Sequence, residues 1–218
     1  QALDLDTLAL REVNATLQGG GAASNETAWR VLNPRGRHAI AVGLDAPLEV
    51  TVEGPTGYYC GGMNKLATVR VTGNAGPGVA ENMMSGTVVV EGDASQYAGA
   101  TGRGGLLVIK GNAASRCGIS MKGLDIVVGG NVGHMSAFMG QKGDLVVCGD
   151  AGEALGDSLY EARLFVRGAV TSLGFLGLLL GRLPGWAVAG VSPPFGASGL
   201  PGAGDVAGRR LRGEGDAG

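Results

Sequence analysis

Seven glycines keep a fixed interval along this chain. Gly54, Gly73, Gly92, Gly111, Gly130, Gly149 and Gly168 each follow the last by 19 residues. A period of this kind marks a chain built from stacked copies of one small unit. Each glycine closes a short aliphatic run. Four and two residues before it stand Val50/Val52, Val69/Val71, Val88/Val90, Leu107/Ile109, Ile126/Val128, Leu145/Val147 and Leu164/Val166. The residue just before the glycine is mostly polar, as Glu53, Thr72, Glu91, Lys110 and Arg167 show. Such alternation is the period of a half-buried β-strand, and β-branched residues suit its pleated surface. The position three before the glycine is less polar, with Val89, Val108, Val127, Val146 and Phe165. This predicts a covered outer face in the middle of the chain.

Small residues form two further columns. Three residues after the anchor stand Gly57, Gly76, Ser95, Ala114, Gly133 and Gly152. Seven after it stand Gly61, Ala80, Gly99, Gly118, Ala137 and Gly156. Each column requires either close backbone stacking or a turn with positive φ. A unit with one strand and two small-residue corners cannot bury its apolar face alone, and stacking does so. The expected fold is all-β: a single-stranded, right-handed parallel β-helix of about seven 19-residue coils, with a short N-terminal helix and cap. At the usual strand spacing the rod is roughly 30 Å long. A propeller needs about 40 residues per blade, twice this period.

The repeat divides the chain into three parts: 1–27, 28–174 and 175–218. In the first, Leu10, Val13 and Leu17 share one helical face, with Asp6 or Thr7 as its start, and 19–25 read as a flexible connector. Residues 29–44 read as two strands around a turn at Asn33–Gly36, covering the open end of the rod. After Gly174 the alternation stops. The segment 175–218 is rich in Gly, Pro, Ala and Arg, lacks lysine, and reads either as a disordered tail or as an out-of-frame translation.

Glycine makes up 43 of 218 residues, charged residues 17% and apolar residues 44%. The low charge argues against disorder over most of the chain, and a net charge of −2 against a nucleic-acid binder. No signal-peptide pattern opens the chain. Its longest apolar stretch, Ser172 to Val191, is broken by Arg182 and Pro184. A cytoplasmic protein is expected. Phosphate loops lead from a strand into a helix. Gly99 to Gly105 leads into another strand instead.

Reactive groups are few and scattered. Cys60 and Cys117 share one coil position but lie three coils, about 14 Å, apart, too far for a disulfide. Cys148 belongs to a strand. Three reduced thiols are expected, without a metal or cluster site. Neither His38 nor His134 has a nucleophile beside it in the pattern. Asn74, Asp93, Asn112, Asn131 and Asp150 form a column one residue after the anchor. It reads as a ladder of side chains bonding their own backbone turns. Glu153, Asp157 and Glu161 make an acidic surface patch. Tyr58, Tyr59, Met63, Met83 and Met84 interrupt the repeat, either as core filler or as a contact surface.

The stretch GNAGPGVAENMMSGTVVVEGDASQYAGATGRGG and the coils after it resemble the GXGXG domain, the β-helical domain that ends glutamate synthase large subunits. The segments LDLDTLALREVNATL, GYYCGGMNKLATV and CGDAGEALGDSLYEARLFVRG are closer to a free-standing version, the B subunit of N-methylglutamate synthase (methylamine–glutamate N-methyltransferase). The resemblance covers about residues 3–174. It implies a non-catalytic subunit of a glutamate-synthase-like enzyme complex. The chemistry would sit in an FMN/iron–sulfur synthase subunit and a glutamine-amidotransferase-like subunit. No catalytic, cofactor-binding or metal-binding residue carries over: the chain begins with Gln1, and its three cysteines are dispersed. The glycine pattern alone also resembles the β-helical subunit of formylmethanofuran dehydrogenase/formyltransferase-type complexes. An independent carbohydrate-active enzyme is a further alternative, and it would need two acids on adjacent coils about 5–9 Å apart.

Overall fold

Residues 1–19 and 26–175, and the backbone of 179–183 and 186–189, are described by the computed structural model. Strand β1 is Ala2–Asp4, followed by helix α1, Leu10–Gln18. Then come β2 (Ala28–Leu32), β3 (Glu49–Glu53), β4 (Thr68–Val71), β5 (Thr87–Val90), β6 (Leu106–Ile109), β7 (Asp125–Val128), β8 (Asp144–Val147) and β9 (Arg163–Val166). These nine strands pair in chain order, every one parallel to the next. From β3 to β9 the Cα partners differ by one period, so Val52, Val71, Val90, Ile109, Val128, Val147 and Val166 form one file. All seven are buried, as is the file four before the anchors. The winding is right-handed, as expected.

A second ladder of single bridges runs through Thr56, Ala75, Ala94, Ala113, Val132, Ala151 and Val170. The two small columns turn out to have different causes. A Cβ on Gly76 would lie 2.5 Å from the Gly57 carbonyl carbon, so that column is set by close backbone stacking. Gly61 and Gly99 have φ of 64° and 68°, so the other column is set by the turn. Ala80 and Ala137 take the same left-handed φ, 57° each. That strain costs about 1–2 kcal/mol per residue. Each coil also buries at least two aliphatic strand residues, worth about 1.5–3 kcal/mol apiece, so stacking wins.

The Asx column differs from its expected form. Asn74 Oδ1 accepts the N–H of Asp93, Asp93 Oδ1 that of Asn112, Asn131 Oδ1 that of Asp150, and Asp150 Oδ1 that of Ala169. Each side chain therefore bonds the next coil's backbone, at 2.7–2.9 Å, not its own turn. Sequence spacing suggested a local turn because Asx residues bond nearby amides in most loops. Here a neighbouring coil supplies an amide at equal reach.

Residues 29–44 are also corrected. No second strand forms after β2. Residues 28–48 make a further coil of the rod, two residues longer than the rest. Its Ala39 and Gly43 donate to Tyr58 and Gly62, and its Ile40 accepts from Gly61. The end of the rod is closed instead by α1 and β1. Val13 and Leu17 pack into the core, while Asn14 and Gln18 reach backbone groups of the 28–48 coil. Neither Asp6 nor Thr7 starts α1. The N-cap is Ala9, whose N–H is held by the Glu12 carboxylate at 2.9 Å.

At the other end, β11 (Trp186–Ala189) pairs antiparallel with β9, and β10 (Leu179–Leu183) with β11. The remainder of the expected tail, 176–178, 184–185 and 190–218, lies outside the described residues, as does the connector from 20 to 25.

Candidate functional site

The interruptions of the repeat converge on one corner of the rod. In each coil after β3 the chain alternates through left-handed residues five, seven and nine after the anchor: Tyr59, Gly61, Met63; Gly78, Ala80, Asn82; Tyr97, Gly99, Thr101; and onward. This alternation turns successive N–H groups in opposite directions along the rod. Tyr59 donates forward to Pro77 while Gly61 donates back to Ile40. The backbone is thereby satisfied between coils, and neighbouring side chains are presented outward.

Tyr58 and Tyr59 sit with ring centroids 5.3 Å apart. Asn82 Nδ2 donates to the Tyr59 hydroxyl at 3.0 Å, and the Thr101 hydroxyl donates to Asn82 Oδ1 at 2.6 Å. One coil further, the Arg116 guanidinium lies 5.9 Å from the Tyr97 ring centre. Burial raises the Glu81 carboxyl above its ordinary value, against a bond to Tyr58 that lowers it. The Glu81 charge in turn raises the Tyr58 phenol. Gly78 makes room for this pair: a Cβ there would meet Glu81 Oε2 at 2.5 Å and the Tyr58 ring at 3.1 Å.

Of the five interrupting residues, Met83 is core, Tyr59 is half-buried, and Tyr58, Met63 and Met84 are exposed. Leu66, 57% exposed, joins them and was missed. Column position separates the two adjacent methionines. Met83 shares its place with Met121 and Leu159, which point inward, whereas Met84 shares its place with Lys65, Arg103 and Lys122.

The remaining candidates are scattered over the rod. His38 Nδ1 accepts the Tyr58 N–H at 2.8 Å. His134 is exposed, and its carbonyl accepts the Arg116 N–H. Cys60 and Cys117 are buried among the core side chains, and burial pushes both thiols up to about 12. Cys148 is half-exposed. Asp93 and Asp150 hold the Asx ladder, and Glu153, Asp157 and Glu161 all belong to the sixth coil. Sequence reasoning overlooked Asp125 and Asp144, an acid pair on adjacent coils. Asp144 is bound in two-pronged fashion by Arg163, at 2.7 Å to each oxygen, and Asp125 Oδ1 accepts the Asp144 N–H at 3.2 Å. Among the described residues, no three His, Cys, Asp or Glu side chains are placed to hold a metal ion. No helix among them is long and apolar enough to cross a membrane.

The chain is 72% identical to Protein GlxC of Rhizobium meliloti (strain 1021) over 172 residues, 79% of this chain and 75% of that protein. No family model matches the chain, and no solved structure matches it.

Proposed function

We propose a subunit role for this chain, which belongs to the family of Protein GlxC of Rhizobium meliloti. In this reading it is the non-catalytic β-helical subunit of a glutamate-synthase-like complex that makes N-methylglutamate from methylamine and glutamate. FMN, an iron–sulfur cluster and the amide-hydrolysing nucleophile belong to its synthase and amidotransferase-like partners. One observation carries the reading. Asp93, Asp144 and Cys60, side chains that could act chemically, are held by structural bonds or by burial, while Tyr58, Met63 and Met84, which break the repeat, are exposed. A stiff rod with an aromatic and methionine-bearing corner suits the positioning of larger partners.

Co-expression with the two partner subunits tests this. Co-elution of all three chains, with methylamine-dependent formation of N-methylglutamate that stops when this chain is omitted, is the expected result. Full activity from the two partners alone would refute it.

A further inference from the structure

We infer that one edge of the rod is the docking surface for a protein strip that carries acidic residues beside an apolar anchor, and that this strip belongs to a partner subunit. The inference rests on the subunit reading above. The edge lies eleven and twelve residues after each anchor glycine. Its coils are tied in register by backbone bonds: Met84 N–H to Asn64, Arg103 N–H to Met83, Lys122 N–H to Gly102, and Lys142 N–H to Met121. At about 4.8 Å per coil, five coils make a strip about 20 Å long.

Chemistry changes along it. At the N-terminal end Leu66 and Met84 stand on successive coils with Met63 beside them, 57%, 41% and 45% exposed. Single exposed apolar residues are ordinary. Three large ones on neighbouring coils make a patch of the kind that marks contact surfaces. Beyond it come Arg103, Lys122 and Lys142, all exposed. Among the described residues no carboxylate pairs with any of the three. On the flat sheet face, by contrast, Arg70, Lys110 and Arg163 each have an acid. Three cations outside any ion pair, in a file that ends one coil before the exposed Glu161, on a chain whose net charge is −2, set up a local positive field that selects an acidic partner.

Three purified forms of the chain test this against the two partner subunits by interferometry. The first is Arg103→Glu/Lys122→Glu/Lys142→Glu, the second Leu66→Ser/Met84→Ser. The third, Arg167→Glu, alters an exposed cation on the sheet face as a control. The charge reversal should slow association about tenfold or more at low salt and flatten its salt dependence. The anchor double variant should speed dissociation about tenfold, and the control should bind as the wild type does. If the charge reversal loses its fold by circular dichroism, Arg103→Ala/Lys122→Ala/Lys142→Ala replaces it, with the same loss of salt dependence expected.

Wild-type binding that neither edge variant weakens would overturn the docking surface and leave the subunit reading standing. Failure of the wild type to bind either partner would overturn both. Self-association abolished by the edge variants would show the occupant to be a second copy and overturn the inference.

Discussion

Asn112 Oδ1 occupies the space that a methyl group on Gly130 would need. A Cβ built on Gly130 would lie 2.3 Å from it, while the same oxygen accepts the Asn131 N–H at 2.9 Å. The relationship recurs at Gly92, Gly111, Gly149 and Gly168, each 2.2–2.3 Å from the Asx oxygen one coil back. None of these glycines has a positive φ. At these five anchors glycine is therefore kept by steric room for a hydrogen-bonded side chain, and not by backbone freedom, whereas Gly73 stacks on the Gly54 backbone and Gly54 itself takes a φ of 130°.

Gly130→Ala should accordingly destabilise the fold by about 2–4 kcal/mol, from overpacking and the loss of one ladder bond. Asn112→Ala alone should cost about 1 kcal/mol. The double variant should be more stable than the sum of the two, with a coupling of about 1 kcal/mol, because removing the Asn112 amide relieves the clash. Relief is partial, since the Gly111 carbonyl oxygen would still lie 3.0 Å from the new Cβ. Urea midpoints of the four proteins measure the coupling, and strict additivity would show that the glycine answers to something else.

The repeat region was legible because a strand exposes its period directly. Val71, Val90, Ile109 and Val128 could be assigned inward from alternation alone, and they are buried. What escaped were contacts whose partner lies a whole coil away. The Asx ladder looked local because sequence shows only sequence neighbours. The 28–48 coil was misread as a hairpin because its longer circuit breaks the count: Val31 pairs Val52 across 21 residues, and Ala39 and Ala41 adopt left-handed φ without being glycine. Leu66 was passed over because its column holds Ser85 and Gly104 in the next two coils, and so has no apolar signature.

Asn14 replaces a missing coil. Its Nδ2 donates to the Ala39 carbonyl at 2.7 Å and its Oδ1 accepts the Ala41 N–H at 2.9 Å. Asn14→Ala should leave both backbone groups partly buried without partners, costing about 2 kcal/mol or more. In a stacked repeat the loss stays near the defect. Hydrogen exchange should quicken at Ala41 and Gly61 well before it does at Val147. Uniform quickening along the rod would contradict local capping.

The cysteines separate by environment. Cys60 and Cys117 are buried with thiols pushed up to about 12, so almost no thiolate is available at neutral pH. Cys148, expected within a strand, lies one residue past the end of β8 and is partly exposed, because the chain already turns toward Gly149. Mass spectrometry after brief treatment of the folded protein with iodoacetamide at pH 7.5 should show one adduct, on Cys148. In urea all three should react. Labelling of folded Cys117 at the rate of Cys148 would mean that the coils open far more readily than their packing implies.

Acid should weaken the fold partly through Glu91, on the sheet's outer face. The bond from Lys110, joined by one from Arg70, holds its carboxyl below the ordinary 4.5, against an opposing push from burial. A carboxylate with a lowered folded value binds fewer protons folded than unfolded. Its contribution is therefore complete above 4.5 and is lost as pH falls through the folded value. Glu91→Gln should thus cost stability at pH 7, and that cost should shrink as pH falls below 4.5. Because the pairs lie at the surface and their Arg70 and Lys110 partners are exposed, the difference should be about 0.5 kcal/mol or less, and smaller still in 1 M salt, where the screening length falls to about 3 Å. Burial acts with the opposite sign at Glu81, whose raised carboxyl favours the fold at low pH and loses that advantage as pH rises. Urea midpoints from pH 3 to pH 7 for the wild type, Glu91→Gln and Glu81→Gln should therefore diverge in opposite senses. Parallel curves would show that neither carboxylate couples folding to protons.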